Sequence, residues 1–295
     1  MKRRLIVAMA LVALFLAVAA QKPDTAQVMV HYKFSYVRDT GNRAHPYTEN
    51  MVLFVGKASS SYRSYDTQLQ NELYRKQFQE QLINSPDGNV SLNRKITGSV
   101  TEYYQFINYK KLVRKELIMM DPYIVDDMLP VIAWRISSDK ANFAELHCQK
   151  ATCHFRGRDY TAWFCPDLPV HVGPWKLNGL PGVIVEAYDS KKDVVFKFDR
   201  VERTVFRPRP PIKDRKGRIV QMLGDDEDTD PNIIQVPAKG IKTTEKEFEK
   251  LSNALRKNPN AMGQIVPDGK SGAKTDAKKA VVRLDYNPIE LPEKQ

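Results

Sequence analysis

The chain has 295 residues, with 46 Lys and Arg against 35 Asp and Glu for a formal charge of +11, and 18 Pro against 14 Gly. With 42% hydrophobic residues and only three cysteines, it is not collagen-like, fully disordered or a disulfide scaffold. Its length suits one large β-rich domain or two small ones, and either buries a core without staples.

Met1 to Ala20 reads MKRRLIVAMALVALFLAVAA: three cations, an apolar run from Leu5 to Val18, then small residues before Gln21. This is the pattern of a secretory signal peptide. The apolar run is about as short as a spanning helix can be, and no Cys follows it to receive a lipid. The expected address is the periplasm, the outer membrane or the exterior, and the chain is not an integral membrane protein once the signal is removed. Cations that would suggest nucleic acid inside a cell point in an exported protein to an anionic surface, an acidic ligand or a solvated basic face. Nucleic acid is not an expected partner.

Residues 21–295 read as a single β-rich domain. In VMVHYKFSY, Val28, Val30, Tyr32, Phe34 and Tyr36 alternate with His31, Lys33 and Ser35, predicting a half-buried strand. Met51 to Gly56 predicts a second strand. After Asp66, the spacing of Leu69, Leu73, Tyr74, Phe78 and Leu82 predicts a helix of about 16 residues that ends at Ser85–Gly88. Ser99 to Met120 predicts a hairpin turning at Asn108–Lys110, and the chain near Trp134 reads as extended. Ala144 to Phe155 and Tyr160 to Cys165 predict a strand pair about a tight turn at Gly157. Gly182 to Asp189 and Val194 to Phe206 predict another.

The stretch 207–232 reads as a charged, Pro-rich insertion, because Pro208, Pro210 and Pro211 forbid a central strand. Within it Asp226, Asp228 and Asp230 match alternating positions of a Ca²⁺ loop. Pro231 and Pro237 stand where Gly and Glu are needed, so this is a solvated acidic loop. Thr243 or Thr244 caps a helix through Lys257, residues 258–279 read as flexible, and 280–291 reads as a final short strand. The predicted fold class is mainly β (α+β): a curved antiparallel sheet or half-barrel of serial hairpins, with one or two helices packed on it.

The densest chemistry lies between Leu146 and Gly182, which holds all three cysteines and His147, His154 and His171. Export favours a disulfide among Cys148, Cys153 and Cys165. With the hairpin centred on Gly157–Arg158, Cys165 falls opposite Lys150 and Cys153 opposite Ala162, and which two of the three pair stays open. The alternative is a metal- or redox-handling site drawn from His147, Cys148, Cys153, His154, Cys165 and His171. Against it, side chains next to one another on a strand point to opposite faces. A third reading, a hydrolase using Cys165 with His171 or Cys148 with His154, has no supporting nucleophile motif. No catalytic residue, metal or cofactor is assigned.

In GPWKLNGLPG, Pro174 and Pro181 fix φ while Gly173, Gly179 and Gly182 free it, so a rigid turn anchored by Trp175 and Leu180 leads into the next strand. At this segment the chain resembles the GLPGLI family of exported proteins from Bacteroidetes-type bacteria, with GLPGVI at Gly179–Ile184. Cys148-Gln149-Lys150-Ala151, Phe155-Arg156-Gly157-Arg158, Ala162-Trp163-Phe164, Pro166–Pro169 and Gly173-Pro174-Trp175 follow the same pattern. So do LFVGKASSSYRS, Trp134-Arg135-Ile136 and Tyr286-Asn287-Pro288-Ile289-Glu290-Leu291. The resemblance implies export, a β-rich body and an association with envelope uptake systems, and it carries no catalytic residues. The expectation is a non-enzymatic envelope accessory or ligand-binding module. Its binding candidates are Arg156, Arg158, Trp163 and Trp175, and its partner is an unspecified envelope protein or ligand. Oligomeric state stays open.

Overall fold

The computed structural model describes residues 23–85, 88–92, 98–118, 121–205, 209–220, 230–257 and 287–293. The expected signal peptide, the flexible segment 258–279, residues 280–286 and much of the 207–232 insertion lie outside them. In chain order the elements are β1 (Asp24–Thr25), β2 (Val28–Tyr36), β3 (Tyr47–Val55), β4 (Ser59–Ser64) and α1 (Tyr65–Asn84). Then come β5 (Glu102–Phe106), β6 (Lys111–Ile118), β7 (Asp121–Met128), β8 (Arg135–Phe143), β9 (Leu146–Phe155) and β10 (Arg158–Cys165). The last are β11 (Val183–Asp189), β12 (Val194–Arg203), β13 (Ile233–Ile234), β14 (Ile241–Thr244) and α2 (Glu245–Lys257).

Two meanders make one 12-stranded sheet: β2 to β7 run outward from the middle, β8 to β12 run inward from the far edge, and β12 closes on β2. All the pairings are antiparallel except β14 beside β7. The topology itself demands curvature. Ten strand spacings separate β7 from β8, about 48 Å in a flat sheet, yet residues 129–134 alone join them and reach at most about 25 Å. The sheet therefore curls until its two ends approach, without closing into a barrel. The described α-helices are two, and neither is long and apolar enough to cross a membrane.

On the face of β2 expected toward solvent, Lys33 is exposed, but His31 is only 2% exposed. It lies edge-on to Tyr65 at 4.7 Å, and burial lowers its pKa. Helix α1 also departs from expectation. Ser64 accepts from the Thr67 N–H at 3.0 Å and starts the helix ahead of Asp66, giving 20 residues. Asp66 instead accepts from the backbone and side-chain amides of Asn50 on β3, both at 2.9 Å. Only the C-terminal half of the predicted apolar face is covered. Leu82 packs with Ile212 of the Pro-rich insertion, while Leu69 and Leu73 stay 51% and 54% exposed. Helix α2 follows its capping box: Thr244 Oγ1 accepts from the Glu247 N–H, and Glu247 Oε2 accepts from the Thr244 N–H.

Candidate functional site

The β9–β10 hairpin turns on Arg156 and Gly157, whose φ values of 51° and 69° are those of a two-residue primed turn. This centre sits one residue earlier than Gly157–Arg158, so the register differs by two from the expected one. Cys153 faces Tyr160, Phe164 faces Gln149, and one step on Cys165 meets Cys148. Those two form the disulfide. Cys153 is an odd number of residues from Cys148 on an unbroken strand and so points to the other face. It is a buried free thiol, its pKa pushed up to about 12 by burial. With Cys165 bonded, the pairing with His171 as nucleophile and base does not exist, and Cys148 with His154 fails for the same reason.

The metal set does not assemble either. His147, His154 and His171 are exposed while the cysteines are buried. His147 Nδ1 contacts Asp167 at 3.0 Å, and His154 lies between Asp159 and Glu293, which raise its pKa. Among the described residues no group of three or more His, Cys, Asp or Glu is placed to hold a metal ion.

Residues 166–182 fill the curl. Trp175, Leu177 and Leu180 are 3%, 0% and 1% exposed, and Trp175 packs on Phe155 of β9 and Tyr160 of β10. An irregular segment buried this deeply needs outside partners for its backbone. From the other half of the sheet, Gln105 Nε2 lies 3.1 Å from the carbonyls of Gly173, Trp175 and Leu177. From the crossover, Trp134 Nε1 donates to the Asn178 carbonyl at 2.8 Å. Tyr32 on β2 donates to the Ile184 carbonyl at 2.6 Å. Gly182 is needed for space, since a Cβ there would stand 2.4 Å from the Cys165 carbonyl oxygen. The motif is thus the plug of a curled sheet, anchored by Trp175 and Leu180 as expected.

Arg156 and Arg158 come together at the turn and meet the C-terminal segment. Arg158 is 4% exposed. Its Nη1 donates to Asp189 at 2.6 Å, Nη2 to Asn287 Oδ1 and the Pro288 carbonyl at 2.8 and 2.7 Å, and Nε to the Ile289 carbonyl at 2.8 Å. Residues 287–291, the described part of the expected strand, are not a strand, since the carbonyls of Pro288 and Ile289 meet a guanidinium and Pro288 has no N–H to pair. Trp163 lies apart, tilted against Phe143. Of the four binding candidates, Arg158 and Trp175 are buried in the framework, whereas Arg156 is exposed and Trp163 half-buried.

Sequence reasoning missed the cavity. A space of about 600 Å³ opens where β1, the start of β2 and the end of β12 meet the plug, with Gln27, Leu168, Arg203, Thr204, Asp230 and Asn232 in its wall. Asp230, expected in a solvated loop, is 6% exposed. Its Oδ1 accepts from the Asn232 N–H at 2.9 Å, a local turn that folds the carboxylate inward. Its Oδ2 is buried and accepts no hydrogen bond among the described residues. Arg203 is exposed and has no ion-pair partner among the described residues. The one signal was Asp-Pro-Asn itself, a turn sequence beside the short apolar pair Ile233–Ile234.

Residues 134–186, which cover β8 to β10, the plug and the first half of β11, match a family described as "Protein of unknown function (Porph_ging)". No curated protein matches the chain. Among solved structures it is similar to PNGF-II in two crystal forms, space groups C2 and P21. Each has 10% identity and a TM-score of 0.49 over 77% of this chain. The chain spans about a third of those chains, 32% and 33%.

Proposed function

We propose that the chain is an exported, non-enzymatic binding module of the cell envelope, of the Bacteroidetes-type group whose name motif stands here as Gly179–Ile184. The signal-peptide pattern of Met1–Ala20 supports export. The observation that carries binding is the cavity, whose volume of about 600 Å³ falls in the usual range for small-ligand sites. Asp230 and Arg203 bring opposite charges to its wall, so the matching ligand is a small zwitterion such as a dipeptide.

The test is the thermal midpoint of protein purified from the envelope, titrated with a set of dipeptides and with neutral sugars. A dipeptide at a hundredfold excess over its Kd adds about 2.7 kcal/mol to the parent protein, and Asp230→Asn abolishes the gain. A flat response to every dipeptide overturns the ligand reading, and recovery of the protein from the cytoplasm overturns export.

A further inference from the structure

Residues 287–293 make their described contacts only with chain-distant partners. The chain reaches Asn287 30 positions after α2 ends at Lys257. The partners that hold it come from β2 and the residues after it, the β9–β10 turn, the plug and the β11–β12 turn. This is how a protein holds a separate peptide. Asn287 is read on every polar atom. Its Oδ1 accepts from Arg158, its Nδ2 donates to the Val37 carbonyl at 2.7 Å and faces Asp193 at 3.3 Å, and its N–H donates to the Arg38 carbonyl at 3.1 Å. Its own carbonyl accepts from Tyr36. Glu290 meets Lys176 Nζ at 2.6 Å and Arg156 Nε at 3.5 Å, and Lys176 is a buried lysine at 2% exposure. Ile289 packs on the main core.

The turn is cut to fit. Leu291 donates to the Arg156 carbonyl at 3.0 Å and lies so close to Gly157 that a Cβ there would stand 2.7 Å from it. Glu293 accepts from the Gly157 N–H at 3.1 Å and meets His154 at 3.0 Å. Lys176, a buried cation, has its described ion pair with Glu290 of this segment, and Arg158, already paired with Asp189, makes three further hydrogen bonds to it. Leaving a buried lysine unpaired and these guanidinium donors unmet is costly, so the empty groove favours being filled.

We infer that this groove is a peptide-recognition site for acidic segments of the form Asn-Pro-Ile-Glu-Leu, occupied by the chain's own residues 287–291 and open to the same segment supplied as a separate molecule. It is distinct from the Asp230 cavity and goes beyond the ligand reading proposed for it. The recognition is selective for Asn over Asp at the first position. Aspartate cannot donate to the Val37 carbonyl, and it brings a charge beside Asp193. A site that satisfies a buried amide rejects an isostere lacking it by large factors.

The test uses the whole chain with a protease site inserted after residue 268. After cleavage, the fragment carrying residues 287–293 is expected to co-elute with the body, which keeps its far-ultraviolet circular dichroism. A labelled peptide, Tyr-Asn-Pro-Ile-Glu-Leu-Pro-Glu, then displaces that fragment. It binds uncleaved protein at least tenfold more weakly, because a tethered segment competes at an effective concentration in the millimolar range. The peptide with Asp in place of Asn binds the cleaved protein at least a hundredfold more weakly. Three outcomes overturn the inference: the body unfolds on cleavage, the peptide at about 1 mM neither binds nor displaces the fragment, or the Asp peptide binds as well as the Asn peptide.

Discussion

Helix α1 and the 166–182 plug reverse the usual expectation about which segments get buried. The helix carries apolar residues at helical spacing, yet Leu69 and Leu73 remain about half exposed. The plug has no regular structure, yet Trp175, Leu177 and Leu180 are shielded almost completely. A helix satisfies its own backbone and can rest against β3 and the Pro-rich insertion with part of its face open to water. An irregular segment has no such independence. It persists only where Gln105 and Trp134 supply partners for carbonyls within it, and that requires enclosure. Burial follows the surrounding shape more than local pattern.

The enclosed segment is the more sensitive of the two to substitution. Trp175→Ala removes the largest plug side chain from between Phe155 and Tyr160 and is expected to cost about 3–5 kcal/mol in urea unfolding. A cost under 1 kcal/mol would show that the plug is not closely packed. The Cys148→Ala, Cys165→Ala double variant opens a loop of sequence separation 17 and should lose about 3 kcal/mol. In the parent protein one thiol, Cys153, should react with a thiol reagent, and only after denaturant is added; two or more reactive thiols would contradict the pairing. The smallest effect belongs to the helix. Leu73→Gln should change stability by no more than about 0.5 kcal/mol, and a larger loss would mean that something covers that face in solution.

Much of the sheet is legible along the chain because hairpins are local. The alternation in Val28–Tyr36 gives β2 with its observed bounds, and Thr244 with Glu247 announces α2. The hairpin of β9 and β10 is legible as a hairpin, but its register is not. Arg156 adopts a left-handed conformation that residue type does not suggest, and moving the turn centre by one residue selects Cys148 over Cys153 as the partner of Cys165. The site is less legible still. Lys176, Asn287 and Asp189 sit in or near quoted motifs without any sign that they are buried. Asp230 reads as solvated because its surroundings come from β1, β12 and the plug.

What the residues determine by themselves is the inventory: strands by period two, turns by Gly, Pro and Asn, caps by Thr and Glu, and the rigid 173–182 segment. These rest on interactions between near neighbours, whose closure costs little entropy. What only the tertiary structure decided is how the two meanders meet. The pairing of β12 with β2, the six-residue crossing from β7 to β8 and the docking of 287–293 on Arg158 all join distant parts of the chain. Buried polar groups such as His31 and Arg158 acquire their roles there, because in each case the deciding partner lies far away in sequence and only the curl of the sheet brings it near.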